Sequence, residues 1–264
     1  IGICLSLPII FQMFSSSGTS RFAGVSIFAD TGPLAWVHEM RRTDPQPESL
    51  ITKIKYNRYS AYAGEFVQNY ISHLSPEFLF VKGDVIDRSR TPGVGQIFYI
   101  TAPFLIIGFF VIVTNLRYQT YRLLFLWLLI APIAAALTYQ SPHALSSQNM
   151  IVPLSIIVAV GFTTLFKLIS SHKKIFIIFH LIFIVSLSFE FSRYLYQYFV
   201  VYPKSIPIAW QYGFRDMATY IKNNESKYEK IVISTRYDQP YILTAFYLQY
   251  PPERLQDRKS TRLN

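Results

Sequence analysis

Apolar positions in this chain gather into long runs. Residues 97–113, 123–137, 150–166 and 175–191 are almost continuously apolar and contain no Lys, Arg or Asp; Glu190 stands at the very end of the last run. Each run approaches the ~20 residues that cross a bilayer as a helix. Residues 1–14 form a further apolar run with no basic leader and no small-residue cleavage site, which reads as the outer part of a helix that starts upstream. Pro103, Pro132 and Pro153 fall inside the runs, where neighbouring groups in a membrane bundle can satisfy the freed carbonyls.

The predicted architecture is mainly α. It is a polytopic transmembrane helix bundle of about four whole spans (97–191) plus one partial span (1–14), with an outer loop (15–96) and a small truncated α/β unit (192–257). Within the loop, residues 50–74 read as an amphipathic helix. Tyr62, Phe66 and Ile71 lie roughly on one face, and Lys53, Lys55 and Arg58 gather at one end. It is expected either along the membrane surface or as an ordinary surface helix of the loop. In the tail, Trp210, Phe214, Met217 and Ile221 recur at spacings of 4, 3 and 4, one apolar helical face ending at Asn223-Asn224. Residues 231–234 read as a short β-branched strand. Asp238 reads as the N-cap of a second helix with Pro240 in its first turn, running to about Leu248.

Charge then orients the runs. The loop 114–122 carries Arg117 and Arg122 and no acid, and 167–174 carries Lys167, Lys173 and Lys174 and no acid; 139–149 carries no Lys or Arg. The positive-inside rule puts the first two in the cytoplasm and the third outside. By alternation the long loop and the tail are extracytoplasmic, in a multi-pass protein of the cell membrane.

Composition agrees and narrows the chemistry. Charged residues are 15% of the chain, against about 25% in soluble domains. The net charge of +10 suits basic inner loops, and no nucleic-acid motif accompanies it. Residues 258–264 supply three of the basic residues and resemble a translated sequencing adapter, so they are expected to be non-native. The single cysteine, Cys4, excludes a disulfide framework and a thiolate metal cluster. No glycine-rich nucleotide loop, His-Glu-x-x-His or serine elbow is present, and no cofactor is identified. A transferase working outside the membrane needs a lipid-carried donor, since nucleotide sugars are cytosolic. Such a donor calls for cations at its phosphate and a carboxylate base for the acceptor.

The best-marked segment is Ser75-Pro-Glu-Phe-Leu-Phe-Val-Lys-Gly-Asp84, followed by Asp87-Arg-Ser-Arg-Thr-Pro-Gly-Val-Gly-Gln96 at the mouth of the next run. It resembles the large outer loop of GT-C glycosyltransferases of family 39, relatives of protein O-mannosyltransferases and of the lipid A aminoarabinose transferase. Ser141-Pro-His-Ala144, Tyr202-Pro203, Trp210-Gln-Tyr-Gly213, Ile233-Ser-Thr-Arg-Tyr-Asp-Gln-Pro-Tyr241 and Tyr250-Pro-Pro-Glu253 extend the resemblance nearly to Gln256. It implies transfer of a sugar from a polyprenyl phosphate to an extracytoplasmic protein, lipid or glycan. It also puts the catalytic acid in a first outer loop upstream of Ile1, so the 264-residue chain alone is expected to be inactive. Where the family often reads Arg-His-Ser, this chain has Arg88-Ser89-Arg90.

The candidate substrate-binding residues are Arg88, Arg90, His143 and Asp84. Arg88 and Arg90 could grip the donor phosphate through charge-assisted bonds, or anchor at lipid headgroups. His143 could contact donor or acceptor, or cap a helix. Asp84, after Gly83, reads as a turn residue rather than an acid or base. His180, in mid-run among apolar neighbours, is expected to make a helix–helix hydrogen bond. Asn224-Glu225-Ser226 is a glycosylation sequon by letter only. The rival class is a non-catalytic transporter, flippase or scaffold, but a transporter should show intramembrane charges and interrupted repeats.

Overall fold

A computed structural model describes residues 23–234, 236 and 240–253. The partial span at 1–14, the N-cap at Asp238 and the tail 258–264 lie outside the described residues. The chain divides into two compact units, Ile1–Val201 and Tyr202–Asn264. The structure is mainly helical, with no strand among the described residues beyond an isolated antiparallel bridge between Ser26 and Thr138.

In the first unit, α1 (Gly32–Thr43), α2 (Leu50–Lys55) and α3 (Arg58–Leu74) precede the apolar helices. The single helix predicted over 50–74 is broken at Tyr56 and Asn57. Asn57 starts a new helix because its side chain accepts from the amides of Tyr59 and Ser60 while Ser60 Oγ accepts from the Asn57 amide, a reciprocal cap. α3 stops at Ser75, whose extended backbone suits a residue preceding proline. A wide helical turn, Glu77–Val81, and the loop 82–98 lead into the apolar helices.

These are α4 (Ala102–Thr114), α5 (Gln119–Ile130), the one-turn α6 (Ile133–Ala136), α7 (Ile151–Ile169) and α8 (Lys173–Tyr196). Among the described residues three stretches, Gln119–Ala136, Gln148–Ile169 and Lys173–Ser205, are long and apolar enough to cross a membrane. The remaining run forms a shorter apolar helix, Tyr99–Thr114. At 1.5 Å per residue it is about 24 Å long, short of a ~30 Å hydrocarbon core. Pro103 sits in the first turn of α4, and Asn115 closes its end by donating to the Val111 carbonyl at 2.8 Å.

α4 and α7 touch backbone to backbone. A Cβ on Gly108 would stand 1.9 Å from the Ile157 carbonyl oxygen, and one on Gly161 1.9 Å from that of Phe104. Small residues at such a crossing are how apolar helices pack where no hydrophobic force separates them from lipid. Around it, the ring of Phe104 lies 5.3 Å from Phe162 and 5.6 Å from Phe183, which adds α8 to the pair. Phe78, Leu79, Ile112, Leu124, Leu128 and Leu154 form the adjoining core. Outward, the same helices are apolar too. Phe110 is 68% exposed and Leu168 73%, and no residue in the most apolar stretch of Lys173–Ser205 is fully buried. An apolar exterior on this scale is compatible with a membrane protein.

The second unit contains α9 (Phe214–Asn224) and α10 (Pro240–Tyr247). The predicted strand at 231–234 is absent: the segment has no regular secondary structure and pairs with no strand among the described residues, so the unit is not α/β there. The predicted face is also shortened. Phe214 is buried and Met217 and Ile221 are half-buried, but Trp210 is exposed. Gln211 (φ 57°) and Gly213 (φ 99°) turn the chain between Trp210 and the helix, which breaks the helical register. Trp210 instead donates its indole N–H to the Tyr202 hydroxyl at 2.7 Å. Met217, Ile221, Ile231 and Val232 line an apolar cavity of about 540 Å³.

Candidate functional site

The sequence places Gly83-Asp84 just after the wide turn that follows α3. Gly83 takes φ 67°, which suits glycine, and a Cβ there would crowd Gln96 Nε2 at 3.0 Å and the Val94 carbonyl at 3.1 Å. The loop folds back on itself as far as Gly95, whose backbone lies directly on that of Phe80. Gln96 and Ile97 donate their amides to Phe78 and Leu79, so the loop closes where the apolar helix begins.

Asp84 is completely buried. One carboxylate oxygen accepts from the Ile86 amide at 2.7 Å, the local turn the sequence predicts. The other accepts from the Ala144 amide at 2.6 Å and from Nδ1 of His143 at 2.8 Å. A carboxylate facing these donors can only accept, so His143 carries its proton on Nδ1. Val85 donates its amide to the Pro142 carbonyl at 3.3 Å. The loops 82–96 and 139–149 are thus joined at several points, next to a cis Ser141–Pro142 peptide.

A third segment completes the junction. The His143 amide donates to Nε2 of His73 at 3.1 Å, which leaves His73 to donate through Nδ1 to the Asn69 carbonyl at 2.7 Å. His73 is neutral in this arrangement. Burial pushes its pKa below the ordinary imidazole value, against the opposing pull of the Asn69 carbonyl and of Asp84. The His143 carbonyl accepts from the amide and hydroxyl of Ser147.

The structure therefore brings Asp84 and His143 together, and Arg88 and Arg90 share the loop of Asp84. Arg90 lies against Gly83 and pairs with Asp87 at 2.5 Å, a contact from position i to i+3. Its Nε is shielded from solvent and has no acceptor among the described residues; the same is true of Ser141 Oγ. Arg88 is exposed, in the helical turn Asp87–Ser89. Two buried, unmatched polar atoms thus sit in the two loops that Asp84 and His143 join.

Sequence reasoning missed His73, Asn69 and Arg193. Asn69 Nδ2 donates to the carbonyls of Ala136 and Thr138, pinning α3 to the end of α6. Arg193, in the last turn of α8, donates to the Gly93 carbonyl at 2.9 Å and lies 5.5 Å from the Tyr99 ring centre. One turn earlier the buried Glu190 accepts from the Ile100 amide at 3.4 Å. Only Arg193 and Glu190 carried a local signal, as charges on an otherwise apolar helix; His73 and Asn69 lie on a mixed helix that hides them. His180 departs from its expected helix–helix hydrogen bond. Its Nδ1 pairs with the Phe176 carbonyl of its own helix, four residues back, and only ring contacts reach α7, at Phe166.

With three donors around it, Asp84 is unsuited to deprotonating an acceptor. It fixes the tautomer and orientation of His143, leaving Nε2 as the ring nitrogen for any further contact. No group of three or more His, Cys, Asp or Glu suited to a metal ion occurs among the described residues. No family model matches the chain, and no curated protein or solved structure matches it significantly.

Proposed function

We propose that this chain is part of a polytopic integral-membrane glycosyltransferase that moves a sugar from a polyprenyl-phosphate donor to an acceptor outside the cytoplasmic membrane. The single observation that carries the reading is the partly exposed Arg90 guanidinium, in the loop that Asp84 joins to His143. Its Nη2 pairs with Asp87 and about a third of the side chain is exposed, and a phosphate oxygen is a suitable acceptor for the N–H donors on that exposed part. Arg88 adds a second cation to the same loop, which ends where an apolar helix starts and hence at the depth of a lipid phosphate. The resemblance to family 39 of the GT-C glycosyltransferases falls on these loops. Arg90 and Arg88 hold the donor phosphate and stabilise it as the leaving group. His143, oriented by Asp84, contacts the donor or the acceptor. The base that activates the acceptor belongs to a first outer loop. Incubating membranes that carry the full-length parent with polyprenyl-phosphate hexoses and pentoses tests the reading. Release of polyprenyl phosphate with sugar transfer supports it, and failure with every donor and acceptor class contradicts it.

A further inference from the structure

α2 and α3 are built inside out. A helix on a water-soluble surface buries its apolar side. In α2 the buried residue is Thr52, while Leu50, Ile51 and Ile54 are 73–77% exposed. In α3 the buried side includes the polar Asn69 and His73, while Tyr59, Val67 and Ile71 are 51–84% exposed. The latter three follow positions i, i+8 and i+12, with the exposed Ala63 between, so they line one side of the helix. The face read from the sequence is divided: Tyr62 is buried against Phe28, while Ile71 is exposed.

Two further observations say what covers this face. Lys53, Lys55 and Arg58 flank it; Lys53 pairs with the exposed Glu48 at 2.7 Å, and no acid occurs between Leu50 and Gly64. Moreover, α3 is fastened to the side of an apolar helix. Tyr70 donates its hydroxyl to the Leu129 carbonyl at 2.7 Å, while Asn69 holds Ala136 and Thr138. Leu129 lies about two turns, roughly 10 Å, inside the Ala136 end of that stretch. Beside these contacts in the sequence, Ile130 and Ile133 are 62% and 40% exposed. If Gln119–Ala136 crosses a bilayer, α3 lies at the level of the headgroups and upper acyl chains.

We propose that α2 and α3 form a platform seated in an anionic lipid surface. Leu50, Ile51, Ile54 and the Tyr59–Ile71 side enter the headgroup–acyl boundary, and Lys53, Lys55 and Arg58 contact lipid phosphates. The inference needs the helices to span a membrane but is independent of the transferase reading, and its test involves no donor. Single nitroxide labels at positions 51, 54, 67 and 48 are placed in the full chain with Cys4→Ser. The chain is held in nanodiscs of phosphatidylcholine with or without phosphatidylglycerol. Expected is preferential collision with oxygen at 51, 54 and 67, and with a water-soluble nickel chelate at 48. Lys53→Gln, Lys55→Gln and Arg58→Gln together should move the first three labels several-fold toward the chelate in the anionic discs. Nickel-accessible labels at 51 and 54 overturn the proposal. So do immobilised labels reached by neither reagent, which show a protein cover such as a second copy. Equal behaviour of the charge variant in both discs overturns the anionic preference.

Discussion

The carboxylate of Asp84 accepts a hydrogen bond from Nδ1 of His143 at 2.8 Å, across a sequence separation of 59 residues. That contact joins two loops at the ends of different apolar helices, and His73 of α3 braces it from behind. Removing the carboxylate leaves the Ile86 and Ala144 amides and the imidazole without their acceptor. Breaking a buried pair in this way costs about 3 kcal/mol or more. Asp84→Ala should therefore lower the thermal unfolding temperature in detergent micelles much further than Asp84→Asn, which keeps one acceptor oxygen. Equal, small shifts for both would show that the junction contributes little.

His73 makes stability depend on pH. Its folded pKa is depressed by burial, so the folded state takes up a proton less readily than the unfolded chain. Stability from this group is complete above the unfolded value of about 6.5, and it is lost as pH falls from there toward the folded value. His73→Gln should flatten the fall in unfolding temperature below about pH 6.5 relative to the unmodified chain. Parallel curves for the two proteins would remove His73 from the account.

The α4–α7 crossing should tolerate no added carbon. Gly108→Ala and Gly161→Ala each force a Cβ into a facing backbone and should cost about 1–3 kcal/mol by overpacking. Gly64→Ala, in α3 with nothing within 4 Å, serves as the control. It should be neutral or slightly stabilising, by roughly 0.5–1 kcal/mol at most. Unfolding temperatures of the three variants, compared in one detergent, decide the point.

Orientation follows from the short loops and can be read by labelling. In a Cys4→Ser background, cysteines at Ser146 or Lys227 should react with an impermeant thiol reagent in intact cells. Those at Gln119 or Ser171 should react only after the cells are opened. The opposite pattern would reverse the orientation and remove the reason for a lipid-linked donor.

The apolar helices were legible because their signal is local. The run 150–166 became Gln148–Ile169 and the run 123–137 became Gln119–Ala136, shifted by a few residues at each end. The break at Asn57 was missed because a continuous apolar-polar pattern hid a good N-cap with Ser60 three residues on. The strand at 231–234 was misjudged because β-branched residues favour a strand only where a neighbour pairs with them. Asp84 as a turn residue was readable from Gly83-Asp84. Its second role, holding His143, was not, since nothing local connects residues 59 positions apart. The exposed side of α2 and α3 was not legible, because periodicity shows that a side is apolar, but not which side the fold buries.

The central claim is that Arg88 and Arg90 hold the phosphate of a lipid-linked sugar. Its most direct test is the turnover of a polyprenyl-phosphate sugar by membranes that carry the protein. Arg88→Ala, Arg90→Ala and the double variant are compared at equal membrane abundance. Asp87→Asn is the control for loss of the Arg90 ion pair alone. Preorganised donors of this kind supply about 2–4 kcal/mol in the transition state. At least one arginine variant should therefore lose about a hundredfold in rate, with Asp87→Asn far less affected. A lipid anchor would give only about 1 kcal/mol per residue. Near-normal turnover by both single variants and the double would contradict the claim.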